Sequence, residues 1–192
     1  GAVTLGAGVT GARYGLSFDL DDPDAIRVAE RLAANALTNV TLETKQAVRE
    51  LIVRGIRGGV APRETARLIE RVVGLTVRDA SAVDRLYAAM RADGVTEAVA
   101  SGRADRYATR LLRRRAATIA RTETAFAQGR ASLQAFSSNG WEGKRWLTAR
   151  DERVCEICQG NAAQGEIPVS RAFTSGHQSP PPHPRCRCTI AP

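Results

Sequence analysis

All four cysteines of this 192-residue chain lie beyond Val154, as Cys155-x-x-Cys158 and Cys186-x-Cys188, the second pair inside the run PPPHPRCRC. The segment that holds them, residues 139–192, contains Trp141, Trp146, Leu147 and Val154 but few other aliphatic residues. Its stretch 159–185 reads as loop, with Pro180, Pro181, Pro182 and Pro184. A segment this short and this poor in apolar side chains buries too little surface to hold itself together, so it needs a staple.

A Cys-x-x-Cys turn lets two thiolates face one tetrahedral ion, with Zn–S near ~2.3 Å. Cys186 and Cys188 can supply two more sulfurs, or His183 can replace one of them as the fourth ligand. The prolines stiffen the second ligand arm, and Arg153, Arg185 and Arg187 flank the thiols, where they would offset thiolate charge. Structural zinc is the preferred reading, and it would supply folding free energy on the order of 10 kcal/mol. Two disulfides or free thiols are a second reading, which a reducing compartment disfavours. A redox Cys-x-x-Cys is a third, and it wants a strand-then-helix setting that the sequence does not display.

The first 138 residues read as helices. Asp22 caps one, with Pro23 at its first position and Ile26, Ala29, Leu32, Ala33, Ala36 and Leu37 at helical spacing. A second follows Thr41, with Ala47, Val48, Leu51, Ile52 and Ile56 on one side, and stops at Gly58 and Gly59. Pro62 opens a third, which carries Ala66, Leu68, Ile69, Val72 and Val73 to Gly74. Thr76 and Asp79 resemble a capping box before Ala80, Val83, Leu86, Tyr87 and Met90. A longer helix runs from Thr96 or Arg103 to about Phe136, where Ser137–Gly140 breaks it. The expected fold is mainly α with a small α+β, zinc-knuckle-like C-terminal part: a helical N-terminal half, a long Arg-rich helix, short strands and a proline-rich loop. The expected organisation is a flexible segment 1–17, a helical domain 18–138 and a Cys-containing module 139–192. The glycine-rich start, Gly-Ala-Val rather than Met, reads as the inside of a longer protein.

Charge is uneven. The 28 basic residues exceed the 20 acidic ones, and all but Lys45 and Lys144 are arginines. Residues 101–130 carry eight arginines against Asp105 and Glu123, which is most of the excess. Arg106, Arg110, Arg113, Arg114, Arg115 and Arg121 are the candidate contacts to nucleic acid or to an acidic protein partner, since arginine serves phosphates and carboxylates alike. Arginine-rich composition can also be coding bias. Glu123 reads as an intrahelical partner of a neighbouring arginine. No apolar run approaches the ~18 residues of a membrane span, and the first 18 residues do not read as a secretory signal.

Catalytic signatures are missing: no phosphate-binding glycine loop, serine elbow or paired carboxylates stand out. A metal-dependent nuclease or toxin-like enzyme on the Cys/His module would need an open coordination position, and four bound cysteines would leave none. A helix-turn-helix regulator would need a recognition helix that no pair of short helices here displays.

The string AATIARTETAFAQGR (Ala116 to Arg130), then W-x-x-x-x-D-x-R-V-C-x-x-C (Trp146 to Cys158), Phe173 and PPPHPRCRC (Pro180 to Cys188) resembles the phage Mu F-like head morphogenesis family. Gly58, Gly59, Pro62 and the Gly74–Thr76 turn are similar to the helical part of that family. The resemblance spans about Phe18 to Thr189. It implies a minor head protein of a tailed phage or phage-like particle, not an enzyme, found in the virion at the capsid interior or portal vertex after assembly in the host cytoplasm. Its implied partners are the portal protein, the inner capsid surface and packaged DNA, without a membrane. Its implied work is head assembly and DNA packaging or delivery. Carried over onto this chain, the family's pattern falls on Cys155, Cys158, His183, Cys186 and Cys188.

Overall fold

The computed structural model describes residues 40–149 and 151–192, together with Ile26 and Glu30. The expected segment 1–17 and most of the expected helix from Asp22 to Leu37 lie outside the described residues. Ile26 and Glu30 are helical; Ile26 packs on the main core and Glu30 pairs with Arg57 at 2.5 Å.

Four helices make the larger part: α1 (Leu42–Arg57), α2 (Pro62–Ile69), α3 (Val77–Ala92) and α4 (Glu97–Ser138). Thr41 caps α1, its hydroxyl accepting from the Thr44 N–H at 3.2 Å, and Thr76 caps α3 in the same way from Asp79 at 3.1 Å. Each cap satisfies a backbone donor that the first turn leaves without a partner. α2 is shorter than its apolar spacing suggests. It stops at Ile69, and Leu68 and Val72 stay 40% and 38% exposed while Val73 turns back into the core. α4 begins at Glu97 after Thr96 and reaches Ser138.

A short antiparallel sheet follows, with β1 (Gly143–Leu147) between β2 (Glu166–Pro168) and β3 (Thr189–Ala191). Lys144 lies opposite Ile167, and Trp146 opposite Ile190. Helix α5 (Glu156–Ala163) sits between β1 and β2. The stretch 159–185 is therefore not all loop: α5 covers its first five residues and β2 follows. The strand signal was hidden because a three-residue strand is too short to display alternation.

Two apolar clusters share α4. The first gathers Val48, Ile52, Val53 and Ile56 from α1, Ala66 and Ile69 from α2, and Ala116, Ile119, Ala120 and Ala127 from α4. Alanines on α4 let the other helices approach closely. The second gathers Phe136 at the end of α4 with Trp146, Cys158, Ile167, Val169, Phe173, Cys186 and Ile190. Trp146 meets Phe173 edge-on, with ring centroids 5.0 Å apart. The architecture is thus mainly helical, with a small sheet-and-helix part built around cysteines.

Two glycines fix close approaches. A methyl group on Gly55 would lie 2.5 Å from Thr65 Oγ1, so the Thr65 side chain of α2 packs directly on the α1 backbone there. A methyl on Gly129 of α4 would lie 2.3 Å from the Pro180 carbonyl oxygen, a backbone atom that cannot swing aside. Gly129→Ala is expected to lower stability by about 1–3 kcal/mol, as overpacking does. Gly160→Ala in α5, which meets nothing within 4 Å, is expected to be neutral or to stabilise by about 0.5–1 kcal/mol. Urea unfolding of the two variants side by side checks both.

Candidate metal centre and arginine face

Cys155 is the N-cap of α5 and Cys158 lies one turn inside it, so the helix start presents both sulfurs on one side. The helix follows β1, so the Cys-x-x-Cys does occupy a strand-then-helix setting, contrary to the sequence expectation. The strand GKRWL escapes notice because Lys144 occupies one of its inward positions. The chain returns after the prolines and brings His183, Cys186 and Cys188 to the same place. Cys155, Cys158 and His183 form one group and Cys158, Cys186 and Cys188 another, the ligand atoms of each lying within 4.8 Å of one another. Cys158 belongs to both.

The distances suit a small thiophilic ion. Cys155 Sγ lies 3.1 Å from His183 Nε2, and Cys158 Sγ lies 3.8 Å from it and 3.7 Å from Cys186 Sγ. A tetrahedral shell with Zn–S near ~2.3 Å has edges of about 3.8 Å. His183 Nδ1 lies 2.9 Å from the Pro184 carbonyl, which holds the ring with Nε2 toward the sulfurs. The Cys188 N–H donates to Cys186 Sγ at 3.5 Å, a bond suited to a thiolate. All four cysteines are free thiols.

Electrostatics separates the sulfurs. Burial pushes Cys155 up, but the backbone N–H and thiol of Cys158, together with His183, outweigh it and hold Cys155 below the ordinary thiol value. Burial, reinforced by Cys188, Cys155 and Cys186, pushes Cys158 far up, and burial also raises Cys186. These buried sulfurs carry charge only against a cation.

The arginines beside the thiols are engaged elsewhere than expected. Arg187 makes a two-pronged pair with Asp151, with Nη2 to Oδ1 at 2.6 Å. Arg153 lies 3.9 Å from Glu152. Arg185 has a left-handed backbone (φ 62°), strained for a residue with a Cβ. Its N–H donates to Thr122 Oγ1 at 3.2 Å, and its Nε donates to Thr118 Oγ1 at 2.8 Å. The ligand arm is thereby clasped to α4 between two of its candidate ligands.

The candidate arginines divide into two sets. At about 100° per residue, Arg106, Arg110, Arg113, Arg114 and Arg121 fall within one arc of α4, and Arg115 falls outside it. Arg106, Arg110, Arg114 and Arg121 are exposed, with Arg110 5.3 Å above the Tyr107 ring. Arg113 instead reaches Glu70 at the end of α2 at 3.3 Å, and Arg115 donates to the Gly74 carbonyl at 2.6 Å. Those two hold the α2–α3 connection against α4. Glu123 is buried, at 4% exposure, on the side of Ala120 and Ala127 and away from the arginine arc, so it is not a surface member of that stripe. Two basic residues absent from the sequence expectation join the face: Arg63 and Arg67, one turn apart on α2. Their signal was the four-residue spacing, which gains meaning only once α2 lies beside α4.

Lys144 is another residue that the sequence did not flag. It is fully buried, and its Nζ donates to the Val169 carbonyl at 2.8 Å, the Gln178 carbonyl at 3.0 Å and Gln178 Oε1 at 2.7 Å. It also lies 5.3 Å from the Phe173 ring centre. One ammonium thus pins the 169–178 loop under the sheet, with neutral acceptors only.

These features define the class first: a helical protein whose C-terminal part is tied by a Cys/His knot capable of holding a metal ion. The sequence matches the family described as Phage Mu protein F like protein over residues 46–191. The chain belongs to that family, one of phage head morphogenesis proteins. No curated protein and no solved structure matches the chain. Among the described residues no helix is long and apolar enough to cross a membrane.

Burial lowers the Lys144 pKa to about 8, and the positive charge of Arg130 adds to the effect. A folded value below the unfolded one means that the unfolded chain binds more protons between the two. The associated stability is therefore complete above about pH 10.5 and lost as pH falls through about 8. Lys144→Met removes this titration and leaves the buried Val169 carbonyl and the half-buried Gln178 carbonyl without this donor. It is expected to cost about 1–3 kcal/mol, and the advantage of the natural chain over the variant is expected to widen from pH 8 to pH 10. Urea titrations of both at those two pH values check the direction.

Proposed function

We propose that this protein is a minor head component of a tailed phage or phage-like particle, bound at the portal vertex or inner capsid surface. There it acts in head assembly and in DNA packaging or delivery, and it is not an enzyme. It is assembled in the host cytoplasm and kept in the virion. The observation that carries this reading is the family match, which runs through the arginine-bearing helix and the Cys/His knot together. The exposed arginines of α4 are its contact surface, toward an acidic partner or packaged DNA. Residues 139–192 act as a module that is stapled by zinc and leans on Phe136 of α4.

For the ion, Cys155, Cys158, His183 and Cys186 are the proposed ligands, because their contacts join them in one chain of edges near tetrahedral length. Cys188 supports the Cys186 sulfur through its backbone N–H. Bound there, zinc would act as a structural Lewis acid that gathers the thiolates, with no position left for a reacting water. Zinc-edge absorption and metal content test this. One zinc per chain is expected, with three sulfurs and one nitrogen. Cys188→Ser is expected to keep the metal, and Cys158→Ser to lose it. A shell with a water oxygen would favour the nuclease reading, and no metal would remove the staple.

Stripping zinc with a chelator is expected to abolish the near-ultraviolet signal of Trp146 while most far-ultraviolet helix signal survives, because the larger core lies on α1, α2 and α4. For the head role, particles purified from cells expressing a tagged chain are expected to retain the tag in a few copies through density banding. A tag left wholly in the soluble fraction contradicts that role.

A further inference from the structure

Between α2 and α4 runs a groove of about 800 Å³. Its lining includes Pro62, Ala66 and Ala117, all small and apolar, together with Arg63 and Arg67 from α2 and Arg121 from α4. None of these three arginines has an ion-pair partner among the described residues. Glu70, the acid of this lining, is taken by Arg113. The groove is therefore lined by small apolar side chains and by cationic ones, its one acid already paired.

We propose that this groove seats an acidic amphipathic helix of a partner protein. This deepens the proposed head role by giving the chemistry of one partner. Two observations point to a helix rather than to a nucleic acid backbone. First, the apolar part of the lining is made of small residues, which lets a third helix approach its neighbours at ordinary packing distance. A phosphodiester backbone draws its affinity from neutralised phosphates and counterion release, and gains nothing from alanine and proline against it. Second, Arg63 and Arg67 stand four residues apart on one helix face, a separation of about 5–6 Å between Cβ atoms. Carboxylates at the same spacing on a facing helix can meet both. Apolar side chains flanked by charged ones are the usual anatomy of a protein interface. The partner helix then carries small apolar residues on one face and Glu or Asp along its flanks. Arg106, Arg110 and Arg114, farther along α4, are left to longer-range attraction.

The test uses the full, zinc-loaded chain and two fluorescent probes. One is a 22-residue alanine-rich helical peptide with glutamates at four-residue spacing, and the other is a 20-base-pair duplex DNA. Anisotropy is read at low and at near-physiological salt. Ala117→Trp fills the groove without changing charge; Ala117 is exposed, so the fold is expected to survive, and circular dichroism checks that. The natural chain is expected to bind the peptide. Ala117→Trp is expected to weaken peptide binding at least tenfold and duplex binding less than twofold, and Arg63→Ala with Arg67→Ala is expected to weaken peptide binding at least tenfold. Unchanged peptide binding by Ala117→Trp overturns the proposal, as does no peptide binding at all. Duplex binding alone also overturns it and assigns the groove to nucleic acid. The head role is judged separately by retention in particles, so either reading can fail without the other.

Discussion

The contact between the Pro180 carbonyl and Gly129 brings the C-terminal loop down onto α4 with no side chain between them. From that contact the chain runs three residues to His183 and six to Cys186, both facing Cys158. Arg185 lies between them and is tied to Thr118 and Thr122 of the same helix. The Cys/His knot is thus more than a local staple in a thin core. It fastens the last part of the chain to α4 at two levels, about two to three turns apart. The strained backbone at Arg185 shows that the arm is held by its surroundings rather than by its own preference.

Arginine does different work at neighbouring positions of one helix. Arg113 and Arg115 flank the buried side of α4 and reach the end of α2 and its turn. Arg114, between them in sequence, points outward. A cluster of three consecutive arginines therefore divides by helical phase, and its charge cannot be assigned to a partner as a block. The salt bridge to Glu70 is exposed and worth little by itself. The Arg115 bond to the Gly74 carbonyl has the clearer structural purpose, since it ties the connection between α2 and α3 to α4.

Much of the helical part was legible. Caps at Thr41 and Thr76, the proline at the start of α2 and glycines after α1 and α3 are local signals that act within a few residues. The apolar spacing of α1 predicted its buried face, whereas Leu68 and Val72 misled: Leu68 lies on the exposed side of α2, and the helix ends before Val72. The Cys/His cluster was legible as residue types, since cysteine pairs and a histidine between prolines are rare in combination. What was not legible depends on contacts across the fold. Lys144 reads as a surface residue until β1 turns it inward under Phe173, and Arg63 and Arg67 gain a role only from the neighbouring helix. Likewise the helix around Cys158 was masked by the loop-like residues after it.

Helix α4 spans 42 residues, a continuous rod of roughly 60 Å. The exposed arginines occupy its middle, and the Cys/His part grips it from Thr118 to Phe136, overlapping the last of them. Because a helix resists twisting, the azimuth at which the knot holds Thr118 and Thr122 also sets the azimuth of Arg114 and Arg121. The rod acts as a keyed shaft: whatever surface docks on the C-terminal part fixes the direction in which the cationic groove opens.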